Sequence, residues 1–215
     1  MASIRKPTGK MNRRVESKKM LKLDIVPFEQ GMFDECVKLL AEAFAENPLH
    51  RRAFGDDVLM RNYGFFTIGL RSFQGHRYVA LVDNKVVGFM HWVHSDRCQF
   101  SALEKFVSMP AMIKSLGVAS SIKVGKWLNC WEQCDLPIDH LHLGPIAVHA
   151  SMRGLGIGAA LMEQFCYVAD KLDLNGYLET DKPENVVFYE RFNFTTLHEE
   201  KVLGVKNFFM ARARL

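Results

Sequence analysis

The sequence predicts a mixed α/β fold in a single domain, and three observations support that prediction. A chain of 215 residues with 48% hydrophobic residues can bury one sizeable core. Apolar residues recur at helical spacing in some segments and in short strand-like runs in others. A strand, a glycine-rich loop, a helix and a second strand follow one another across residues 140–180, which predicts two strands joined by a right-handed crossover.

The N-terminal elements can be placed in order from their apolar patterns. Residues 23–26 form an apolar run that predicts the first strand. Apolar side chains at helical spacing predict a helix over residues 33–44, and the Asn47-Pro48 pair is expected to end it. A second helix is expected over residues 58–71.

Strand-like runs predict two hairpins. Residues 78–82 and 86–91 should pair through the turn-forming residues 83–85. Two closing strands are expected near residues 195–202 and 206–212. Between the first hairpin and the crossover unit, residues 99–138 show apolar spacing that predicts two or three short amphipathic helices, which we interpret as a helical insertion packed on the sheet.

The glycine-rich run from Met152 to Met162 says most about function. Gly154, Gly156 and Gly158 stand at every second position, and glycine lets a backbone turn tightly and approach a ligand closely. A helix begins at the same place, so its unpaired N–H groups and the positive end of its dipole favour a phosphate. Arg153 adds a cation whose donors match phosphate oxygens. The run therefore predicts a diphosphate-binding loop.

A dinucleotide-binding loop is the main alternative for this run, with Glu179 near the place of a ribose-binding acid. Three observations exclude it. Residues 149–153 separate the strand from the first glycine, and only 36 residues follow Glu179, too few for further strand–helix units. The preceding strand also contains Gly144-Pro145, which a buried central parallel strand should not tolerate.

Two blocks of the sequence resemble the GNAT superfamily of N-acetyltransferases. Arg153-Gly-Leu-Gly-Ile-Gly158 is similar to the Arg/Gln-x-x-Gly-x-Gly/Ala pyrophosphate loop of that superfamily, and residues 177–194 look like its following strand and helix. The resemblance is sharp over residues 139–194, diffuse over 23–95 and at the C-terminus, and absent in 1–22 and about 99–138. Asn193 stands where the family usually has Gly, and Asn also accepts the left-handed conformation that ends a helix.

The resemblance implies the GNAT fold, with a mostly antiparallel sheet of six to seven strands, splayed at a central parallel pair and flanked by helices. It also implies transfer of the acetyl group of acetyl-CoA, as co-substrate, to a primary amine by direct attack in a ternary complex. Gly144-Pro145 should bulge the strand and free the backbone that follows for the pantetheine arm. The expected cofactor-binding residues are Ile146, Ala147, Val148, Arg153, Gly154, Leu155, Gly156, Ile157, Gly158, Ala159, Asn185 and Tyr189.

Tyr189 is the residue that the resemblance places beside the sulfur as general acid. Asn185 and Tyr189 lie four apart on one helix and share a face. The phenol is a suitable donor because its ordinary pKa, about 10, exceeds that of a thiol, about 8.5. The base stays open: Glu179 and His142 are candidates, either of which could relay a proton through water, and a pocket poor in lysine could need no base at all.

Composition limits the partners and the compartment. Five cysteines in no framework spacing predict a reducing compartment, and we expect a cytoplasmic protein. Cys130 and Cys134 lack a second Cys/His pair, so no metal site is expected. No apolar run is long enough for a membrane span. We expect a small-molecule amine rather than a protein as acceptor, no nucleic-acid partner, and a monomer or homodimer.

The N-terminal segment, residues 1–22, differs from the rest of the chain. It holds eight Lys or Arg and one acid, a net charge of +7, which leaves about −3 for residues 23–215. So basic a stretch, without aromatic residues, predicts a disordered tail. An organelle-targeting signal and a nucleic-acid contact remain open as alternatives. For the domain itself, the alternatives are an acyltransferase with another acyl donor and a CoA-binding sensor without catalysis.

Overall fold

The computed structural model describes residues 22–72, 74–99 and 101–214, which form one seven-stranded sheet with helices on both faces. The predicted basic tail, except for Lys22, lies outside the described residues. The strands are β1 (Leu23–Pro27), β2 (His76–Val82), β3 (Lys85–His94), β4 (His140–Val148), β5 (Asn175–Thr180), β6 (Thr195–Val202) and β7 (Val205–Arg212).

The sheet has the order β1-β2-β3-β4-β5-β7-β6, and its neighbours are antiparallel except for β4 and β5. The predicted fold, a mostly antiparallel sheet with a central parallel pair, is therefore confirmed. The first hairpin turns at Asp83 and Asn84, whose positive φ values of 49° and 61° suit a two-residue turn.

Seven α-helices lie within the described residues. They are α1 (Phe33–Ala43), α2 (Pro48–Phe54), α3 (Val58–Ser72), α4 (Ala102–Leu116), α5 (Val118–Gln133), α6 (Ile157–Lys171) and α7 (Pro183–Glu190). Helices α4 and α5 fill the segment that was expected to be a helical insertion. None of the helices in the described part of the chain is long and apolar enough to cross a membrane.

The Asn47-Pro48 pair begins a helix, whereas the sequence analysis expected it only to end one. Helix α1 stops at Ala43, and the Asn47 side-chain oxygen accepts a hydrogen bond of 3.0 Å from the His50 N–H, which caps α2. Pro48 occupies the first helical position, where its missing N–H costs nothing. This correction matters because α2 places buried side chains in the interior of the molecule.

Apolar side chains cover both faces of the sheet. One layer lies under α6 and includes Trp92, Leu161, Phe165, Phe194 and Met210. The other lies under α1 and α3 and includes Leu40, Phe66, Leu70, Val79 and Phe89. A third cluster joins α2 to α5 through Leu49, Phe54, Leu116 and Trp127. The helical insertion is therefore held to the domain by its own core.

Candidate functional site

The parallel pair opens where the sequence predicted a splay. Strand β4 pairs with β5 only over His140–His142, while its pairing with β3 continues to Val148. The β3–β4 register shifts between Met90 and Trp92, opposite the Gly144–Pro145 bond, which is cis. From Leu143 onward the β5-facing edge of β4 has no strand partner among the described residues, so its backbone groups are available to hydrogen-bond a ligand.

The glycine-rich loop turns into α6 as expected. Gly154 and Gly156 have φ values of 77° and 86°, the left-handed region that other residues rarely adopt, and Gly156 is the N-cap of α6. Gly158 lies inside the helix and is not in that region, so a side chain there would not strain the backbone. A Cβ at Gly158 would lie 3.5 Å from Phe188 Cζ, in ordinary contact.

A groove of about 550 Å³ runs between this loop and α7. Eleven of the twelve residues expected to bind the cofactor line it, and the exception is Leu155, whose side chain is 53% exposed. Lys182 and Arg191 add positive charge that the sequence analysis did not assign. The expected residues that line the groove are Ile146, Ala147, Val148, Arg153, Gly154, Gly156, Ile157, Gly158, Ala159, Asn185 and Tyr189.

A second cavity, of about 570 Å³, adjoins the groove. Asn185 and Tyr189 line both spaces, so α7 stands at their junction. Tyr189 is buried, and burial followed by the nearby Asp181 charge raises its pKa above the ordinary value. Helix α7 begins with Pro183, as predicted, and the Asn185 amide donates to Thr180 Oγ1 over 3.2 Å.

The second cavity has aromatic walls and several acids. Helix α5 contributes two tryptophans to these walls. The aromatic lining residues besides Tyr189 include Phe44, Phe65, Phe66, Trp127 and Trp131, and the acidic ones are Asp96, Glu104, Glu179 and Asp181.

Asp181 is a lining residue that the sequence analysis missed. Its carboxylate accepts hydrogen bonds of 2.6 Å from the Asn47 side chain and from the Leu49 backbone N–H, at the start of α2. Burial raises the pKa of Asp181, and these hydrogen bonds oppose that shift. Both the Asn-Pro pair and the acid just beyond β5 can be seen in the sequence. Their contact could not be inferred from it, because Asn47 and Asp181 are 134 positions apart.

The two base candidates lie together. His142 Nε2 and Glu179 Oε2 are 2.8 Å apart across the parallel pair, and both side chains line the second cavity. Burial lowers the pKa of His142, but the Glu179 charge and neighbouring hydrogen bonds outweigh burial and raise it above its usual range. His140 shares this face of β4, and its ring centroid is 6.1 Å from that of His142.

Four side chains that could hold a metal ion also lie here, although no metal site was expected from the sequence. Cys98, Asp135, His140 and His142 each place one ligand atom within 4.8 Å of those of the others. Cys98 and Asp135 are far apart in sequence: Cys98 directly precedes the insertion, and Asp135 lies near its end, after α5.

Comparisons with known proteins agree with the geometry. The family model described as acetyltransferase (GNAT) domain matches residues 74–196, more than half of the chain. No curated protein shows significant similarity to the sequence.

Three solved structures share the fold at low sequence identity. A structure described as histone acetyltransferase HPA2 and related acetyltransferase, from Corynebacterium glutamicum, is 21% identical, with a TM-score of 0.69 and coverage of 90% of this chain and 97% of that one. Arylalkylamine N-acetyltransferase 2 from Aedes aegypti is 11% identical, with a TM-score of 0.61 and coverage of 89% and 99%. The ribosomal-protein-S18-alanine N-acetyltransferase from Escherichia coli is 13% identical, with a TM-score of 0.53 and coverage of 88% and 92%. The chain belongs to the GNAT superfamily of N-acetyltransferases.

Proposed function

We propose that this protein transfers the acetyl group of acetyl-CoA to the primary amine of a small molecule by direct attack in a ternary complex. The observation that carries the proposal is the position of Tyr189, which lines both the groove beside the glycine loop and the aromatic cavity. Two ligands bound in these spaces would meet at one phenol.

The groove fits CoA by its own chemistry. Its floor is the start of α6, where the first N–H groups of a helix have no intrahelical acceptor and suit a phosphate. Arg153, Lys182 and Arg191 surround it with positive charge. The free edge of β4 at Ile146–Val148 would hydrogen-bond the amides of the pantetheine arm. When bound, acetyl-CoA supplies a thioester carbonyl that an amine can attack.

The residues at the junction serve the two proton transfers. The Tyr189 hydroxyl stays protonated across the physiological range because its ordinary pKa, about 10, is raised further by burial, so a proton is available for the thiolate. A backbone N–H of the open β4 edge would stabilise the oxyanion. His142 Nε2 donates a hydrogen bond to Glu179 Oε2, while Glu179 Oε1 makes no hydrogen bond within the described residues. We assign Glu179, supported by His142, as the acceptor of the amine proton, directly or through one water.

The second cavity suggests the acceptor class. About 300–1,000 Å³ is typical of small-molecule sites, and this cavity lies within that range. Aromatic walls favour an apolar or aromatic body, and the acids Asp96, Glu104 and Asp181 favour a cationic amine. The Aedes aegypti structure, named for arylalkylamines, supports the same class. The similar folds also include histone and ribosomal-protein acetyltransferases, so a protein acceptor is the alternative that the experiment must distinguish from a small amine.

A panel of acceptors tests the proposal. Thiol release from acetyl-CoA should be followed with arylalkylamines, aliphatic polyamines and peptides with free N-termini or lysines. The proposal predicts the highest kcat/KM for amines with an apolar body, and weaker turnover when propionyl- or longer acyl-CoA replaces acetyl-CoA. Preferred peptides would overturn the acceptor class, and a preferred longer acyl-CoA would overturn the donor.

A further inference from the structure

Four side chains from three separate segments converge beside the second cavity. Cys98 follows the 3₁₀ turn (Ser95–Arg97) after β3, Asp135 follows α5, and His140 and His142 lie on β4. Cys98 Sγ is 3.0 Å from Asp135 Oδ2, and His140 Nε2 is 3.1 Å from Asp135 Oδ1. The His140 side chain is fully buried and that of Asp135 is 13% exposed. The cluster thus combines nitrogen, sulfur and oxygen donors at a largely dry place.

Each histidine of this cluster is anchored through one ring nitrogen. His140 Nδ1 is 2.7 Å from the Ile138 carbonyl, which can only accept, so Nδ1 carries a proton. His142 Nε2 is 2.8 Å from Glu179 Oε2. The other two nitrogens, His140 Nε2 and His142 Nδ1, are buried, and among the described residues neither makes an aligned hydrogen bond, although His140 Nε2 lies 3.1 Å from Asp135 Oδ1.

This pattern is typical of metal-binding histidines. In such sites the outer ring N–H donates to a backbone carbonyl or a carboxylate, which fixes the ring and leaves the inner nitrogen for the ion. Ile138 and Glu179 supply those two acceptors here. The Tyr177 ring packs against both imidazoles, with centroids 5.3 and 5.1 Å away, and shields them from water.

We propose that Cys98, Asp135, His140 and His142 bind one zinc ion. The ligands would be the Cys98 thiolate, an Asp135 oxygen, His140 Nε2 and His142 Nδ1, and binding would release the thiol proton and any proton on the inner ring nitrogens to solvent. Cys, His and carboxylate donors in a set of four match tetrahedral zinc. In a tetrahedral zinc site with bond lengths of about 2.0–2.3 Å, the ligand atoms lie about 3.3–3.8 Å from one another. The four ligand atoms here are up to 4.8 Å apart, so zinc binding would need them to move together by about 1 Å.

The proposed ion would tie the insertion to the sheet. It would connect the end of α5 and the exit of β3 to β4, next to the cavity that Cys98 and His142 line. It would also leave the His142 Nε2–H directed at Glu179, so the zinc site is compatible with the proposed base and does not depend on it.

Metal content of the full chain tests the site. Protein purified without chelator, and with any histidine tag removed, should contain about one zinc per chain by mass spectrometry of the metal. Cys98→Ser and His140→Gln should each lower zinc affinity at least tenfold, by competition with a chelating dye. Cys166→Ser and His149→Gln, which lie outside the cluster, should retain the metal.

Cobalt gives a second readout on the unaltered chain, in case a variant fails to fold. Apo-protein titrated with Co²⁺ should show the strong visible bands of tetrahedral cobalt and a thiolate-to-cobalt charge-transfer band, and folded Cys98→Ser should lose that band. Less than a tenth of an equivalent of zinc in the wild type, without a tetrahedral cobalt spectrum on titration, would overturn the site. These measurements need no acceptor amine, so failure of the proposed acetyl transfer would be seen separately.

Discussion

Replacement of Tyr189 by phenylalanine removes one hydroxyl at the junction of the two cavities. The ring packs with Phe188 and Phe194, with centroid distances of 5.3 and 6.2 Å, and phenylalanine keeps those contacts. The free energy of unfolding should therefore change by no more than about 1 kcal/mol. The affinity for CoA should also be retained, because the remainder of the groove is unchanged.

The rate should fall for a different reason. A positioned general acid contributes about 10²–10⁴ in rate, and we expect the lower end, about 100-fold or 2.7 kcal/mol. The raised pKa of Tyr189 keeps the proton on the phenol but makes its transfer less favourable, and a thiolate leaves fairly well without help. The loss should appear in kcat and in kcat/KM alike.

The assay for this change is thiol release from acetyl-CoA with the best amine of the panel. Tyr167→Phe is a matched control, because Tyr167 lies on α6 and is 61% exposed, and it should keep the wild-type rate. If Tyr189→Phe also turned over at the wild-type rate, the phenol would be structural and the thiolate would take its proton from water.

Five other changes test separate parts of the molecule. Gly156→Val should abolish CoA binding and lower Tm because the φ of Gly156 lies in the left-handed region. Gly158→Val should weaken CoA binding at least tenfold with little loss of Tm. Unchanged CoA affinity in both variants, measured by calorimetry, would refute the assignment of this loop to CoA. Glu179→Gln should lower kcat about 100-fold with the KM for acetyl-CoA retained, and an unchanged kcat would exclude it as base. Asp181→Asn should cost about 1–3 kcal/mol in chemical denaturation, because the amide cannot accept both hydrogen bonds, and an unchanged midpoint would contradict that role. Deletion of residues 1–21 should leave Tm and acetyl-CoA affinity nearly unchanged, and a truncated chain that does not fold would show that the tail is structural.

The part of the molecule around the glycine-rich loop was predictable because its signals are local. Gly154 and Gly156 adopt the turn that their spacing indicates, and the register of β4 against β3 shifts at Gly144-Pro145, where proline removes a donor. The helix from Pro183 places Asn185 and Tyr189 on one face through its own periodicity. Each of these inferences depends on residues within a few positions of one another.

The part around the second cavity was not predictable to the same depth because its contacts are long-range. Asn47 meets Asp181, and Cys98 meets Asp135 and the β4 histidines, only after the sheet and the insertion have packed. His142 and Glu179 were both visible as candidates, but their pairing depends on the register of β4 with β5. No local periodicity encodes such contacts between distant segments.

Acetyl transfer itself can be measured with isotopically labelled acetyl-CoA and mass spectrometry of the amine. We expect labelled N-acetyl product that requires both substrates and decreases strongly in Gly156→Val and in Tyr189→Phe. Tight CoA binding with no labelled amine across arylalkylamines, polyamines and peptides would contradict it and would leave a CoA-binding protein without acetyl transfer.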